Sequence, residues 1–141
     1  MNCSYESGSE RFEPLEVEMR KFKLLNDAIH GVLDYGVVII FALAPSLLGI
    51  TGLSAVLCYL LAAVHLLVTI LSDMPFGVKK LIPMPWHGHL ELVVGLALVI
   101  APWVLSDLLA SGQLFFTLMG AIIFFVWVTS NYGDKKFAAL A

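Results

Sequence analysis

Two pairs of histidine and carboxylate residues could do chemistry in this sequence. His30 and Asp34 are four residues apart, and so are His87 and Glu91. Residues four apart share one face of a helix, so two such pairs on neighbouring helices could hold a divalent metal ion or relay protons. A structural interpretation is also open. A carboxylate near the start of a helix favours the helix dipole, and each histidine could hydrogen-bond its own partner at the water boundary.

A third histidine lies deeper in an apolar segment. His65 is about two turns before Asp73, where an ionisable side chain is costly and normally faces protein. Both a neutral His65 hydrogen-bonded across a helix interface and a proton-carrying or ligand-binding His65 are open. It belongs to a seam of small and polar residues, the kind that lets membrane helices approach closely: Thr51, Ala55, Cys58, Ala62, His65, Thr69 and Ser72. The candidate polar cluster comprises His30, Asp34, His65, Asp73, His87 and Glu91.

No other motif in the sequence indicates catalysis. A nucleophile with its base, a phosphate-cradling glycine loop and a haem-attachment motif are all absent, and Cys3 and Cys58 form no Cys-x-x-Cys motif. We therefore predict that the chain is not an enzyme and has no cofactor, and leave open whether the polar cluster takes a metal.

The elements that position these residues must be membrane-spanning helices. The chain has 141 residues, of which 60% are hydrophobic and 13% charged. Residues 35–72 and 108–133 contain no Asp, Glu, Lys or Arg. The first stretch is too long for one bilayer crossing of about 20 residues and suits two. This composition excludes a soluble enzyme, a nucleic-acid binder and a disordered chain.

Four apolar segments are predicted to be helices, because in lipid each segment must satisfy its own backbone hydrogen bonds. They cover residues 28–49, 53–72, 87–105 and 113–130. The expected organisation is a cytoplasmic tail over 1–27, two helices over 28–72, a loop over 73–86, two helices over 87–130 and a tail over 131–141. The spacing of Leu15, Met19 and Phe22 indicates an interfacial helix over 14–25, or else an extension of the first helix.

The positive charges predict the orientation. All eight Lys and Arg residues lie in the two tails and the central loop, which share one side of a four-helix protein. The positive-inside rule places both termini in the cytoplasm. Trp86, Trp103 and Tyr132 are expected to anchor the helix ends at the two interfaces.

The chain also resembles itself at a shift of 57 residues. His30–Asp34 (HGVLD) recurs as His87–Glu91 (HGHLE), and seven of the nineteen positions in 30–48 are identical to those in 87–105. The predicted fold is therefore an all-α membrane protein. Its four transmembrane helices form two tandem parallel hairpin repeats, packed as a four-helix bundle about an axis along the membrane normal.

The repeat resembles the SPW repeat family, in which a membrane hairpin carries Ser-Pro-Trp near the far end of its first helix. Ala101-Pro102-Trp103 and Ala44-Pro45-Ser46 stand at those positions, so Ala replaces Ser in both copies and Ser replaces Trp in one. The HG-x-L-D-Y opening and the loop from Leu71 to His87 are similar as well. The resemblance covers residues 24–130. It implies a small bacterial inner-membrane protein and no particular activity.

Three functions are compatible with these residues. We expect a non-enzymatic bundle that self-associates or joins a larger membrane complex, with the lipid bilayer around it and no nucleic-acid partner. The alternatives are a small oligomeric transporter, channel or proton-handling protein that uses the His30/Asp34 and His87/Glu91 pairs, and a metal-dependent membrane enzyme.

Overall fold

The computed structural model describes residues 25–130 and residue 132. The expected interfacial helix over 14–25 lies outside the described residues except for Leu25. The C-terminal tail over 131–141 lies outside them except for Tyr132.

The described chain is helical, and the prediction of four helices that could span a membrane is confirmed. The helices are α1 (Asp27–Leu48), α2 (Gly52–Leu71), α3 (Met84–Val104), the short α4 (Ser106–Leu109) and α5 (Gln113–Thr129), with a 3-10 turn at Ala110–Gly112 between the last two. α1, α2 and α3 have 20 to 22 residues, or about 30–33 Å, which matches the hydrocarbon core of a bilayer.

Local signals explain where α1 begins and ends. The Asn26 side chain accepts hydrogen bonds from the amides of Ala28 and Ile29, at 3.1 and 2.9 Å, and so caps the first turn. Gly49 stops the helix by adopting a φ of +66°, a left-handed conformation that costs glycine little. The tight turn that follows leads directly into α2.

α3 begins at Met84, three residues earlier than the sequence suggested. Its first turn contains Pro85, preceded by Pro83 at the cap. Proline is tolerated there because the first helical amides have no partner within the helix. The same prolines had favoured a loop up to residue 86. As a result, His87 lies a full turn inside the helix. Residues 106–112, between the third and fourth predicted helices, are helical as well.

The two hairpins share one core. α1 packs mainly against α2 and α3 mainly against α5, while apolar residues from α1, α2 and α5 meet in a common cluster that includes Phe41, Cys58, Phe116, Met119 and Ile123. The outer surface is apolar too, with Leu47 75% and Val93 65% exposed, as a surface bathed in lipid requires.

Most of the small-residue seam of α2 faces the interior of the chain. Cys58, Ala62, Thr69 and Ser72 are buried, whereas Ala55 and His65 are half-buried and Thr51 is exposed. The close approach that such residues permit is therefore used to pack the hairpins of one molecule.

α3 and α5 touch at two glycines. A Cβ atom on Gly120 would lie 2.7 Å from the Gly95 carbonyl oxygen and 2.8 Å from the Val99 nitrogen. These are backbone atoms of the facing helix and cannot move aside alone, so the interhelical distance depends on the absence of a side chain at position 120.

We expect Gly120→Ala to lower the unfolding temperature in detergent, because overpacking an interior costs about 1–3 kcal/mol. Gly36→Ala is the matched control, since a Cβ there would meet nothing within 4 Å. Circular dichroism during heating provides the measurement. An equal unfolding temperature for both variants would contradict the close contact of α3 and α5.

Candidate functional site

Four of the six candidate residues meet inside the bundle. One ligand atom from each of His30, Asp34, His87 and Glu91 can be chosen so that all four lie within 4.8 Å of one another. We call these four residues the core cluster. They are at most 5% exposed, and α1 and α3 supply one histidine and one carboxylate each.

The two histidines of the core cluster lie close to each other and to both carboxylates. The two Nε2 atoms of His30 and His87 are 3.3 Å apart. Oδ2 of Asp34 is 3.5 Å from Nε2 of His30 and 3.3 Å from Nε2 of His87. Oε2 of Glu91 is 3.7 Å from Nε2 of His30, and Oε1 of Glu91 is 3.7 Å from Nε2 of His87. Each histidine therefore faces the carboxylate of the other helix as closely as its own.

The structural interpretation of the sequence assumed that the histidines lie at a water boundary. In the structure, the core cluster lies away from such a boundary. His30 and His87 are one turn inside α1 and α3, and other segments cover the helix ends. The Met74 and Phe76 side chains lie over Gly31, and the Tyr132 ring lies over Gly88. The cluster is thus closed off from the end of the bundle at which α1 and α3 begin.

Each histidine is oriented by a serine at the end of a helix of the other hairpin. Nδ1 of His30 is 2.9 Å from Oγ of Ser130, and Nδ1 of His87 is 2.8 Å from Oγ of Ser72. The Ser72 hydroxyl donates its only hydrogen to the carbonyl of Val68, at 2.7 Å. It must therefore accept from Nδ1–H of His87. In neutral His87, the Nε2 lone pair then points into the core cluster.

His65 lies beside the core cluster. Its Nε2 is 3.8 Å from Oδ1 of Asp34, and its side chain is 13% exposed. Among the residues described, neither Nε2 of His65 nor Oδ2 of Asp34 has a hydrogen-bond partner. The cross-helix hydrogen bond considered for His65 is therefore not formed within the described chain.

Asp73 is not part of this group. Its carboxylate lies 3.7 Å from Nζ of Lys80, and its side chain is 37% exposed. It precedes a loop that turns back toward Ile82, whose carbonyl accepts a hydrogen bond from the Asp73 amide. This turn carries the aspartate to the surface. The spacing of His65 and Asp73 in the sequence did not predict the turn.

Tyr132 has a place that its sequence position did not predict. We expected an interfacial anchor, yet its hydroxyl donates a hydrogen bond to Oε2 of Glu91 and its ring packs edge-on against His30, with centroids 5.4 Å apart. Burial and the neighbouring Glu91 carboxylate raise the pKa of Tyr132, so it remains a neutral donor. Alignment of Ser72-Asp-Met74 with Ser130-Asn-Tyr132 would have drawn attention to it, because Met74 and Tyr132 both cover the cluster.

Removing the serine that orients His87 should destabilise the protein. Ser72→Ala leaves a buried N–H without its acceptor, at a cost of about 1–3 kcal/mol, and should lower the unfolding temperature in detergent. The matched control is Thr129→Ala, since the Thr129 hydroxyl also bonds back to its own helix, to the carbonyl of Phe125 at 2.9 Å. Nitrogen-15 NMR should show His87 protonated at Nδ1. A proton on Nε2 alone would contradict this tautomer.

Comparison of the chain with protein-family models, with curated proteins and with solved structures finds no match. The resemblance to the SPW repeat family stays a prediction from sequence motifs, and the conclusion about function depends on the geometry of the core cluster.

Proposed function

We propose that this membrane helix bundle binds a divalent transition-metal ion, zinc above all, through His30, Asp34, His87 and Glu91. The observation that carries the proposal is the convergence of these four side chains in the protein interior, within 4.8 Å of one another. Imidazole nitrogens and carboxylate oxygens are ordinary zinc ligands. A bound ion would tie α1 to α3 and so join the two hairpins.

The distances are close to those of tetrahedral coordination. Metal–ligand bonds of about 2.0–2.1 Å place neighbouring ligand atoms of a tetrahedron about 3.3–3.4 Å apart. The histidine–histidine and histidine–carboxylate separations are 3.3–3.7 Å, with a different Glu91 oxygen facing each histidine. Four ligand atoms, one from each residue, lie within 4.8 Å of one another, so the side chains would have to move closer together to hold one ion.

Charge balance supports a divalent cation. Asp34 and Glu91 are 1% and 5% exposed, and two ionised carboxylates are costly in an apolar interior unless paired. A divalent ion held by two neutral imidazoles would neutralise both. It would also coordinate Oδ2 of Asp34, which has no hydrogen-bond partner among the described residues.

The surroundings of the core cluster support metal binding as well. Metal-ligating histidines commonly donate their other N–H to an oxygen, which fixes the ring and its tautomer. Ser72 and Ser130 are suitably located for this role, and Tyr132 holds one oxygen of Glu91. Four protein ligands are typical of closed, structural zinc sites rather than of catalytic sites with an open position, so the proposal remains non-enzymatic.

Self-association has less support than the sequence suggested. Most of the small-residue seam of α2, the surface on which a second copy could pack closely, is buried within the chain, and a surrounding lipid bilayer accounts for the apolar outer surface. Homo-oligomers and larger complexes stay predictions from the sequence.

Proton handling is the second candidate function. His65, Asp34, the two cluster histidines, Glu91 and Tyr132 form a continuous series of titratable groups with separations of at most 3.8 Å. Buried series of this kind relay protons in membrane proteins. The metal content of the purified protein distinguishes the two candidates, because metal binding requires a retained ion and proton handling does not.

We also propose that the hairpins are tandem repeats. The Leu25 amide donates to the carbonyl of Thr129 at 3.1 Å, and the Ile82 amide donates to Leu71 at 2.8 Å. Leu25 and Ile82 are 57 residues apart, and Leu71 and Thr129 are 58 residues apart. The two histidines and the two serines of the histidine–serine pairs are related by the same shifts. Each contact joins the start of one hairpin to the end of the other, as expected for a pseudo-two-fold arrangement.

Purified protein should contain about one zinc ion per chain, measured by elemental analysis in detergent. His87→Ala and Asp34→Asn should each lose most of it, because a tetrahedral site lacking one ligand binds far more weakly. His89→Ala and Asp73→Asn are matched controls that should retain zinc, since His89 is exposed and Asp73 pairs with Lys80.

Asp34→Asn preserves side-chain volume, and size-exclusion chromatography checks that it folds. A folded parent protein that takes up no zinc, iron or manganese after dialysis against each metal would refute the metal proposal. Proton flux into liposomes that is abolished by Asp34→Asn would then support the second candidate.

We propose that the loop between α2 and α3 faces the cytoplasm of a bacterial cell, on the basis of its lysines. Lys79 and Asp107 are exposed at opposite ends of the helices. With native cysteines replaced by serine, Lys79→Cys should react with a membrane-impermeant maleimide only in inverted vesicles, and Asp107→Cys only in right-side-out vesicles. The reverse pattern would overturn the orientation.

A further inference from the structure

Outer hydrogen bonds hold three of the four residues of the core cluster. Serine hydroxyls contact both histidines, and the Tyr132 hydroxyl donates to Oε2 of Glu91. Asp34 differs, because its Oδ2 has no hydrogen-bond partner within the described part of the chain. Metal-ligating side chains commonly depend on outer partners for their orientation. A complete site therefore needs a group that orients Asp34.

His65 of α2 lies where such a group is needed. Its Nε2 is 3.8 Å from Oδ1 of Asp34, whereas Oδ2 of Asp34 faces the two cluster histidines at 3.5 and 3.3 Å. The two oxygens of this carboxylate thus face different groups. Ser72, seven residues after His65 and on the same face, contacts His87. One face of α2 therefore borders two residues of the core cluster.

Electrostatics favours a hydrogen on Nε2 of His65. This nitrogen is buried and has no hydrogen-bond partner among the described residues. In a neutral imidazole one nitrogen donates and the other accepts, and an accepting lone pair would be repelled by the carboxylate oxygen that it faces. The present separation exceeds a hydrogen bond of about 3 Å, and a shift of about 1 Å by either side chain would form one.

A hydrogen bond from His65 would leave Asp34 one free oxygen for a metal ion. A carboxylate can bind an ion through one oxygen or through both. One oxygen from each carboxylate and two imidazoles make the four-ligand set that is typical of zinc. A carboxylate that binds through both oxygens raises the number of ligands and favours ions such as Mn²⁺, which prefer six oxygen-rich ligands. Tyr132 restricts Glu91 in the same sense.

We propose that His65 is a positioning residue that restricts Asp34 to one metal-binding oxygen and so makes the core cluster selective for four-coordinate ions, zinc over manganese. It donates Nε2–H to Oδ1 of Asp34 and is not itself a ligand. The proposal rests on the proposed function, because it concerns the same metal site. It adds the residue that determines which metal this site prefers.

The absorption spectrum of bound Co²⁺ in detergent tests the number of ligands, because four-coordinate cobalt absorbs visible light much more strongly than six-coordinate cobalt. The parent protein should give the strong spectrum. His65→Leu should weaken it and should lower zinc affinity about 10–100-fold, as loss of an outer partner does, with manganese affinity changed less. His65→Gln retains an N–H at similar reach and should restore the parent spectrum.

The matched control for loss of stability is Leu57→Ala. Leu57 packs against the hydrophobic core and lies eight residues before His65 in α2. This variant should lower the unfolding temperature and leave both the cobalt spectrum and the ratio of zinc to manganese affinity unchanged. A folded His65→Leu protein that also keeps the parent spectrum and ratio would overturn the proposal.

Nitrogen-15 NMR of the metal-free parent protein tests the hydrogen bond without any substitution or metal. His65 should carry its hydrogen on Nε2, and a hydrogen on Nδ1 alone would overturn the proposal even in a protein that binds zinc. Zinc binding that is unaffected by His65→Leu would refute the positioning role and leave the metal site intact. A protein that binds no metal would refute the metal site and its selectivity together, whatever the tautomer of His65.

Discussion

The structure depends on one constraint, the burial of two carboxylates and two imidazoles together in an apolar interior. Charged groups in an apolar interior must be paired or must coordinate a metal. The core cluster meets this need by placing four side chains within 4.8 Å of one another. The serines that hold the histidines and the tyrosine that holds Glu91 leave little freedom for these groups to move apart.

This constraint also explains why the hairpins belong together. Ser130 at the end of α5 holds His30 of α1, and Ser72 at the end of α2 holds His87 of α3. Each hairpin therefore completes the half of the site that the other begins. The two halves are similar but not equal, since Asp34 corresponds to Glu91 and Tyr132 to Met74. As a result, a hydrogen-bonding ring covers the cluster at Gly88, and a thioether side chain covers it at Gly31.

Packing around the cluster uses the smallest side chains where the helices come closest. Gly95 and Gly120 bring α3 against α5, with backbone atoms of one helix lying where a Cβ of the other would be. Ala62 and Cys58 are buried where α2 faces the shared core. In lipid, where apolar burial offers little drive for helix association, this close contact and the interhelical hydrogen bonds provide the stabilisation. The rigid frame that results keeps the polar side chains at their separations.

The sequence by itself determined the four helices, because uncharged stretches of this length have no other stable form in a bilayer. It also determined the pairing of each histidine with a carboxylate, because residues four apart share a helix face. The repeat also allowed the two pairs to be placed on neighbouring helices. Tertiary structure alone decided that the two imidazoles come within 3.3 Å, that Asp73 turns away to Lys80 and that Tyr132 reaches Glu91. These contacts join residues that are distant in the chain. They depend on the start of α3 at its two prolines and on the path of the chain after α2 and after α5. Local spacing carries no information about such distances, which arise only when the helices pack.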